Sequence, residues 1–280
     1  MKRRFIQCDV FSAISGKGNG LAVVVDAEGL GTEDMQSFAA WTNLAETTFL
    51  LPPTDPNADY RVRIFTPMRE MLFAGHPTLG SCMSWLHTGC QPKTNGLVRQ
   101  ECAIGIVDID VSGPNPAFVA PDTSVAEMPA DARALRQSAM GLSDDQIRNA
   151  VHLNNGPEWF LFELHSGDDV LAVDSSKTQW PLHAGTTLIG AHPAGAECDY
   201  EVRNIAPSSG MPEDPITGSL NSAIAKWLAH KDRLKDDVLV AQGTAINRLG
   251  RVSIKRDAHE SDKIWIGGAV NIVIEGIVDI

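Results

Sequence analysis

Two segments in the first half of this chain have counterparts in the second half with the same pattern of hydrophobic and polar positions. Asp59–Pro67 alternates polar and apolar residues as a strand does, and Asp199–Pro207 repeats its pattern Asp-Tyr-x-Val-Arg-x-apolar-x-Pro. A second matching pair follows, Pro77–Ser81 and Pro215–Ser219. Because both pairs occur in the same order and at nearly the same separation, we interpret them as an internal repeat.

Each copy of the repeat ends in a segment whose apolar residues have helical spacing. They recur at i, i+3, i+4 and i+7, which predicts a helix with one buried face, and Pro77 suits the first turn. These residues are Leu79, Cys82, Met83 and Leu86 in the first half and Leu220, Ala223, Ile224, Trp227 and Leu228 in the second. The repeated unit is therefore predicted to be strand, loop and helix.

Most other apolar segments have the length and the β-branched content of strands. We predict strands at Leu21–Val25, Thr47–Leu51, Ile106–Val111, Trp159–Leu164, Val170–Val173, Val238–Ala241, Arg251–Ile254 and Asn271–Ile274. Further helices are expected at Thr32–Thr42, with Thr32 as the cap, and at Ser143–Asn149.

The most turn-rich run near the middle of the chain, Gly113–Pro116, predicts a domain boundary. We expect an N-terminal lobe over residues 1–115 and a C-terminal lobe over residues 116–269, with residues 270–280 returning as a strand to the first lobe. Each β-rich lobe would hold one long helix. The two helix starts are expected to face one cleft between the lobes, since ligands commonly bind at such interfaces.

The charge of the chain limits its partners. Its 280 residues are 43% apolar, as in ordinary globular proteins, and carry a net charge of −12. An acidic surface repels nucleic acid and anionic membranes, so we expect neither as a partner. No apolar stretch approaches the length of a membrane span, and the segment after Met1–Arg4 is too polar for a signal peptide, so we expect a cytoplasmic protein.

The cysteines and the absence of cofactor motifs narrow the chemistry. Five cysteines are irregularly spaced without a CxxC pair, which is typical of free thiols in a reducing cytosol rather than of disulfides or zinc. The sequence contains no P-loop, dinucleotide fingerprint, HExxH or GxSxG motif. We therefore expect no metal and no nucleotide or pyridoxal cofactor.

In each repeat the loop enters the helix through small residues, within Phe73–Pro77 and Glu213–Ser219. Free backbone N–H groups at a helix start bind anions, so a carboxylate or enolate would gain donors near Gly75 and Gly218. The alternative is that both glycines only form tight turns and that Asp214 only caps its helix.

Two side chains are candidates for proton transfer. His76 stands at a helix start, where the dipole opposes its protonation and a neutral imidazole can donate to or accept from a substrate. Glu46 lies between Ala45 and an apolar strand, and a carboxylate in apolar surroundings can take and return a proton near neutral pH. The alternatives are a structural histidine and an exposed glutamate at a strand start.

Three motifs in this order resemble the PhzF-like family of phenazine biosynthesis: Asn43–Phe49, Phe73–Gly80 and Glu213–Ser219. Shorter matches extend the resemblance over essentially the whole chain, at Asp9–Phe11, Asn155–Pro157, Gln242–Thr244 and Gly267–Val270. The resemblance implies an α+β fold like that of diaminopimelate epimerase, with two pseudo-symmetric lobes, each a β-barrel-like sheet around a central helix. It also implies a homodimeric, cofactor-independent isomerase of a small anionic carboxylate, similar to trans-2,3-dihydro-3-hydroxyanthranilate isomerase.

The same resemblance assigns roles to individual residues. Glu46 is expected to be the acid/base that moves the proton, with His76 and Asp214 as catalytic partners. Backbone groups around the two loop glycines are expected to contact the substrate carboxylate. The expected substrate-binding residues are Gly75, Thr217, Gly218, Ser219 and Asn19.

Beside these residues the chain departs from the family pattern. Ala45 stands where the family usually has Ser, Glu70–Phe73 where it often has Glu-Leu-Pro-Phe, and Leu220–Asn221 where it often has Ala-His. The reacting groups are kept, so the departures bear on the identity of the substrate more than on the reaction.

Two other functions stay open at this point. Epimerases and racemases of this fold use two cysteines, one at each helix start, where this chain has Ala74 and Pro215. Cys82 lies more than a turn into its predicted helix, which disfavours a two-thiol mechanism. The other alternative is a non-catalytic ligand-binding or interaction protein on the same fold.

Overall fold

The computed structural model describes residues 1–177, 185–205, 213–260 and 262–280. The chain forms two compact units. The first comprises Met1–Val119 and Gly267–Ile280, and the second comprises Ala120–Ile266. These bounds and the lobes expected from the sequence differ by a few residues.

The described residues form strands and α-helices that are numbered here along the chain. The strands are β1 Lys2–Val10, β2 Asn19–Val24, β3 Glu46–Leu51, β4 Tyr60–Phe65, β5 Glu70–Met71, β6 Leu97–Cys102, β7 Gly105–Asp110, β8 Ala117–Val119, β9 Ser124–Glu127, β10 Ile147–Asn154, β11 Glu158–Leu164, β12 Thr186–Ala191, β13 Tyr200–Ile205, β14 Val238–Gln242, β15 Gly250–Arg256, β16 Ile264–Gly267 and β17 Val270–Asp279. The helices are α1 Thr32–Thr42, α2 Gly75–His87, α3 Ala130–Met140, α4 Gly167–Ala172 and α5 Gly218–His230.

Both units contain the same succession of strand pairings. In the first, β1, β2, β3, β4, β6 and β7 pair by antiparallel, parallel, antiparallel, parallel and antiparallel ladders. In the second, β10 to β15 pair in the same succession. Parallel neighbours need a crossover, and helices supply it: α1 and α2 in the first unit, α4 and α5 in the second. The repeated sequence pattern therefore encodes one topology twice.

Helix α2 packs against β1, β2 and β3, the strands that surround the candidate site. Leu79 and Cys82 are fully buried on its inner face. Gly80 permits the close approach, since a Cβ there would lie 2.5 Å from Leu21 Cδ2. The strand predicted at Asn271–Ile274 is part of β17, which pairs antiparallel with β1 and so belongs to the first unit.

Two predicted elements are wrong. The strand predicted at Val170–Val173 lies in helix α4 except for its last residue, because the parallel strands β11 and β12 require a crossover there. The Ser166 hydroxyl caps this helix by accepting from the Asp169 amide. The helix predicted at Ser143–Asn149 is a single 3-10 turn, because β10 begins at Ile147 and pairs with β11.

Helix α1 has the predicted bounds, but Gly31 rather than Thr32 occupies its N-cap position. The second copy of the repeat continues into residues 206–212, which lie outside the described residues. Across the ranges that the structure describes, no helix is long and apolar enough to cross a membrane.

Gly18→Ala is expected to destabilise the protein by about 1–3 kcal/mol, because overpacking a close contact forces the backbone to move. A Cβ on Gly18 would lie 2.3 Å from the backbone oxygen of Val10. Gly20→Ala is the matched control, since its Cβ would meet Leu44 Cδ2 at an ordinary 3.8 Å. Urea unfolding of both variants measures the difference, and equal stabilities would contradict the steric argument.

Candidate active site

Glu46 is placed by the turn that joins α1 to β3. Asn43 ends the helix in the left-handed conformation, at φ 53°, which a short polar residue tolerates. Glu46 then opens β3, opposite Leu21 in the parallel ladder with β2. Its side chain is 17% exposed, so the carboxyl group has restricted access to water.

His76 meets Glu46 from the start of α2. The N-cap residue Ala74 is extended, and His76 is the second residue of the helix. Its Nε2 lies 3.3 Å from Glu46 Oε2, and its side chain is 5% exposed. The structure therefore brings together the predicted base and the predicted helix-start histidine, which are far apart in sequence.

Asn19 completes the group as the first residue of β2. Its side-chain amide Nδ2 lies 3.4 Å from His76 Nδ1, and the residue is buried. The turn before it is held by Asp9, whose Oδ2 accepts from the amides of Lys17 at 3.0 Å and Gly18 at 2.9 Å. Asn19 was expected to bind substrate; in the structure its amide contacts the histidine.

Burial sets the charge of the imidazole. Removal from water disfavours the protonated form and lowers the pKa of His76 from its ordinary 6.5 to about 3. The start of a helix disfavours a positive charge as well. His76 is thus a neutral imidazole at pH 7, and its contact with Glu46 is between a neutral ring and a carboxyl group.

The stability of the protein is expected to fall as the pH is lowered from about 6 to about 4, because the unfolded chain binds a proton at residue 76 that the folded chain excludes. The folded pKa of His76 lies below its ordinary value, so this loss begins near pH 6.5 and ends near pH 3. Within the window wild type should lose about 1 kcal/mol per pH unit more than His76→Gln. Urea unfolding over this range measures it, and His259→Gln, an exposed control, should keep the wild-type slope. Equal slopes for wild type and His76→Gln would show that His76 is protonated in the folded state.

In the second unit, Thr217 is the N-cap residue of α5, so the alternative in which Asp214 caps this helix is wrong. The Thr217 hydroxyl donates to Asp214 Oδ2 at 2.5 Å and accepts from Asn204 Nδ2 at 3.0 Å and Gln242 Nε2 at 3.1 Å. One donor and two acceptor positions exhaust a hydroxyl. The Thr217 side chain therefore holds Asp214 in place, and Asp214 itself is half-buried.

The network around the start of α5 contains residues that the sequence reasoning missed. Gln242, fully buried, accepts the Thr217 amide at 3.1 Å through Oε1, and the same oxygen accepts from Asn221 Nδ2 at 2.8 Å. Asn221 is one of the departures from the family pattern, and it also donates to the Thr217 carbonyl. The motif Gln242–Thr244, one of the shorter matches to the PhzF-like family, is the sequence signal that points to Gln242.

A buried ion pair stands next to Asp214. Arg203 donates to both oxygens of Glu213, at 3.1 Å from Nε to Oε1 and 2.7 Å from Nη2 to Oε2, and both side chains are almost fully buried. Arg203 also donates to the carbonyls of Val170 and Val173 beside α4. The pair holds Glu213 against β13.

The remaining predicted residues lie where the repeat places them. Gly75 and Gly218 are buried first residues of α2 and α5. Ser219 is half-buried, and its carbonyl accepts from Asn155 Nδ2 at 2.8 Å. That the two helix starts act on one substrate stays a prediction.

The buried thiols of Cys8 and Cys82 are poor nucleophiles. Burial raises the pKa of Cys8 to about 12 and raises that of Cys82 further. The residues at the helix entries are Ala74 and Pro215. Among the residues that the structure describes, no group of three or more His, Cys, Asp or Glu side chains is arranged to hold a metal ion.

Known proteins resemble this chain over most of its length. The family model for phenazine biosynthesis-like proteins (PhzC-PhzF) matches residues 8–276. Antisense-enhancing sequence 1 of Schizosaccharomyces pombe is 33% identical, with 97% of each chain covered. Trans-2,3-dihydro-3-hydroxyanthranilate isomerase of Pseudomonas fluorescens is 30% identical, with 94% of this chain and 95% of that protein covered.

Solved structures show the same fold. A PhzF-family phenazine biosynthesis protein of Bacillus anthracis superposes with a TM-score of 0.84 at 23% identity, over all of both chains. A hydroxyproline epimerase of Agrobacterium vitis superposes with a TM-score of 0.64 at 14% identity, over 99% of this chain and 92% of that one. The fold is thus α+β and of the diaminopimelate epimerase type, as expected from the sequence.

Proposed function

The chain belongs to the phenazine biosynthesis-like (PhzC-PhzF) family, and from this premise we propose that it is an isomerase that moves a proton on a small carboxylate substrate without a cofactor. The observation that carries the proposal is the contact of 3.3 Å between Glu46 Oε2 and His76 Nε2. It joins a carboxyl group to a neutral imidazole in a place with little water. The isomerases among the relatives give the reaction class.

In the proposed reaction Glu46 is the base and then the acid. Its carboxylate takes the proton of an acidic carbon, and the electron pair of the broken C–H bond passes into the adjacent π-system of the substrate as an enolate-like anion. The same carboxyl group then returns the proton to another carbon of that system, so no oxidant or co-reactant is needed. One base suffices for such a shift if both carbons lie on the same face of the substrate.

The negative charge that develops on the substrate needs fixed donors. Backbone N–H groups at the start of α2, around Gly75, are suited to this because they have no partner within the helix. We further propose that Asp214, Gly218 and Ser219 of the second unit bind polar groups of the substrate. The bond of 2.5 Å from the Thr217 hydroxyl supports this for Asp214, because it fixes the carboxylate before substrate arrives.

The epimerase alternative is disfavoured by the thiols. A two-cysteine mechanism needs a thiolate at each helix start, and this chain has Ala74 and Pro215 there. A binding or interaction role is the second candidate. It is supported by the relative named antisense-enhancing sequence 1, whose name states no reaction.

Solvent deuterium uptake separates these functions. Cyclic and amino-acid-like carboxylates, including trans-2,3-dihydro-3-hydroxyanthranilate, are incubated with the protein in D₂O and followed by mass and NMR spectra. We expect an isomerised product, in the presence of a chelator as in its absence, and it gains one deuterium when the proton on Glu46 exchanges with solvent before its return. Inversion at one carbon without a shift of the double bond would indicate an epimerase. Binding with neither isomerisation nor exchange for any compound would indicate the non-catalytic role.

We also propose that the protein acts in the cytoplasm as a homodimer. The free thiols of its five cysteines support a reducing compartment. The family resemblance supports the dimer, and the exposed Val273, Ile274 and Ile277 of β17 give an apolar surface that a second copy would cover. Light scattering is expected to give about twice the chain mass of 30.2 kDa.

A further inference from the structure

The side chain of Asn19 lies beside one ring nitrogen of His76, and Glu46 lies beside the other. We propose that Asn19 is a positioning residue that fixes the Nε2–H tautomer of His76, so that the imidazole serves the reaction only as a donor to Glu46. This inference rests on the proposed function for its catalytic meaning, but the tautomer itself is a property of the protein without substrate.

The chemistry of the amide leads to this tautomer. An amide nitrogen has two protons and no acceptor position, so Asn19 Nδ2 can only donate to His76 Nδ1, 3.4 Å away. Nδ1 must then present its lone pair, and a neutral ring with a lone pair on Nδ1 has its proton on Nε2. That nitrogen lies 3.3 Å from Glu46 Oε2. The proton is therefore on the ring nitrogen that lies nearer to the carboxyl group.

This arrangement decides which member of the pair is the base. The lone pair of His76 is directed at the Asn19 amide, and its other nitrogen already has a proton. The ring is also neutral, because burial lowers its pKa to about 3. Glu46 is left as the proton acceptor of the pair. An Nε2–H group attracts the carboxylate of Glu46, whereas the opposite tautomer would present a lone pair that repels it.

The surroundings hold Asn19 in this position. Asn19 is 2% exposed and lies opposite Val10 in the ladder between β1 and β2. The two preceding residues, Lys17 and Gly18, are held by the hydrogen bonds that their backbone amides donate to Asp9. Gly18 also has no room for a Cβ. Because the backbone of Asn19 is held in place, its side chain can hold the His76 ring that it contacts.

The tautomer can be read from ring ¹⁵N shifts of the ligand-free protein labelled at its eight histidines. The His76 signals are assigned by their loss in His76→Gln. We expect wild type to show protonated Nε2 and non-protonated Nδ1 at neutral pH. Asn19→Asp keeps the shape but offers an acceptor, so it should move a proton onto Nδ1; Asn19→Leu should give a mixture of tautomers. Asn271→Asp, a change of the same type at a residue that bonds the Ser12 carbonyl, should leave the His76 signals as in wild type.

The kinetic measurement is made on the same variants once a substrate is found. Asn19→Asp should lower kcat by about 10²-fold with a smaller change in KM, since misdirected proton donors cost on that order. A wild-type Nδ1–H tautomer, or an Nε2–H tautomer that persists in both Asn19 variants, would overturn the inference even in an active enzyme. The expected tautomers without turnover of any compound would instead count against the proposed function alone.

Discussion

Glu46→Gln is expected to lower turnover by about 10²–10⁴-fold while the substrate still binds, because the amide keeps the shape of the side chain and cannot accept the proton. His76 cannot replace it, since burial lowers the pKa of His76 to about 3 and Asn19 Nδ2 lies against its second nitrogen. Glu46→Asp should also be impaired, by about 10²-fold, because the carboxylate is withdrawn by ~1 Å from the reacting carbon.

The measurement is kcat and substrate dissociation constant for each variant, with unfolding curves to show that the fold is kept. Glu33→Gln removes an exposed carboxylate from α1 in the same unit and should retain wild-type turnover. Near-normal turnover of Glu46→Gln would show that the base is another residue, and Asp214 would then be the first to test.

Arg203→Met is expected to destabilise the protein by about 3–5 kcal/mol, the cost of leaving a buried carboxylate without its partner. Arg203 and Glu213 are 2% and 1% exposed, so water cannot replace the lost bonds. The substitution also removes the donors to the carbonyls of Val170 and Val173. Because Glu213 adjoins Asp214, the site should loosen with the fold.

Urea unfolding measures this loss, and two further variants make it specific. Arg251→Met breaks the exposed pair with Glu197 and should cost at most about 1 kcal/mol. Glu213→Leu combined with Arg203→Met removes both charges and should recover part of the loss. A cost for Arg203→Met as small as that for Arg251→Met would mean that the buried pair does not stabilise the fold.

The helices α2 and α5 and their entries could be predicted because the signals are local. Apolar spacing and small residues in the loop stand within a few positions of one another and occur twice, and α2 also has a proline, Pro77, in its first turn. The resemblance then singled out Glu46, His76 and Asp214 from sequence alone. The contact between Glu46 and His76 could not be predicted, because it depends on the packing of α2 against β3, two elements that are separated in sequence.

The errors have a common physical cause. Leu171 and its neighbours have strand-like composition, but the direction of β12 relative to β11 requires a crossover, and tertiary context overrides propensity there. Arg203 and Gln242 are polar residues within strands, a type that is usually exposed. Their burial depends on partners at Glu213 and Thr217, which the local pattern does not show.

The pairing of β17 with β1 has a consequence for synthesis on the ribosome. The sequence of the second unit is continuous, so it can fold once it has emerged from the exit tunnel. The first unit is synthesised earlier, but its sheet cannot be completed at that stage. The strand that pairs with β1, β17, is translated after the whole second unit. Until then the nascent chain has an exposed strand edge along β1, and chaperones that recognise such edges would be needed during this interval.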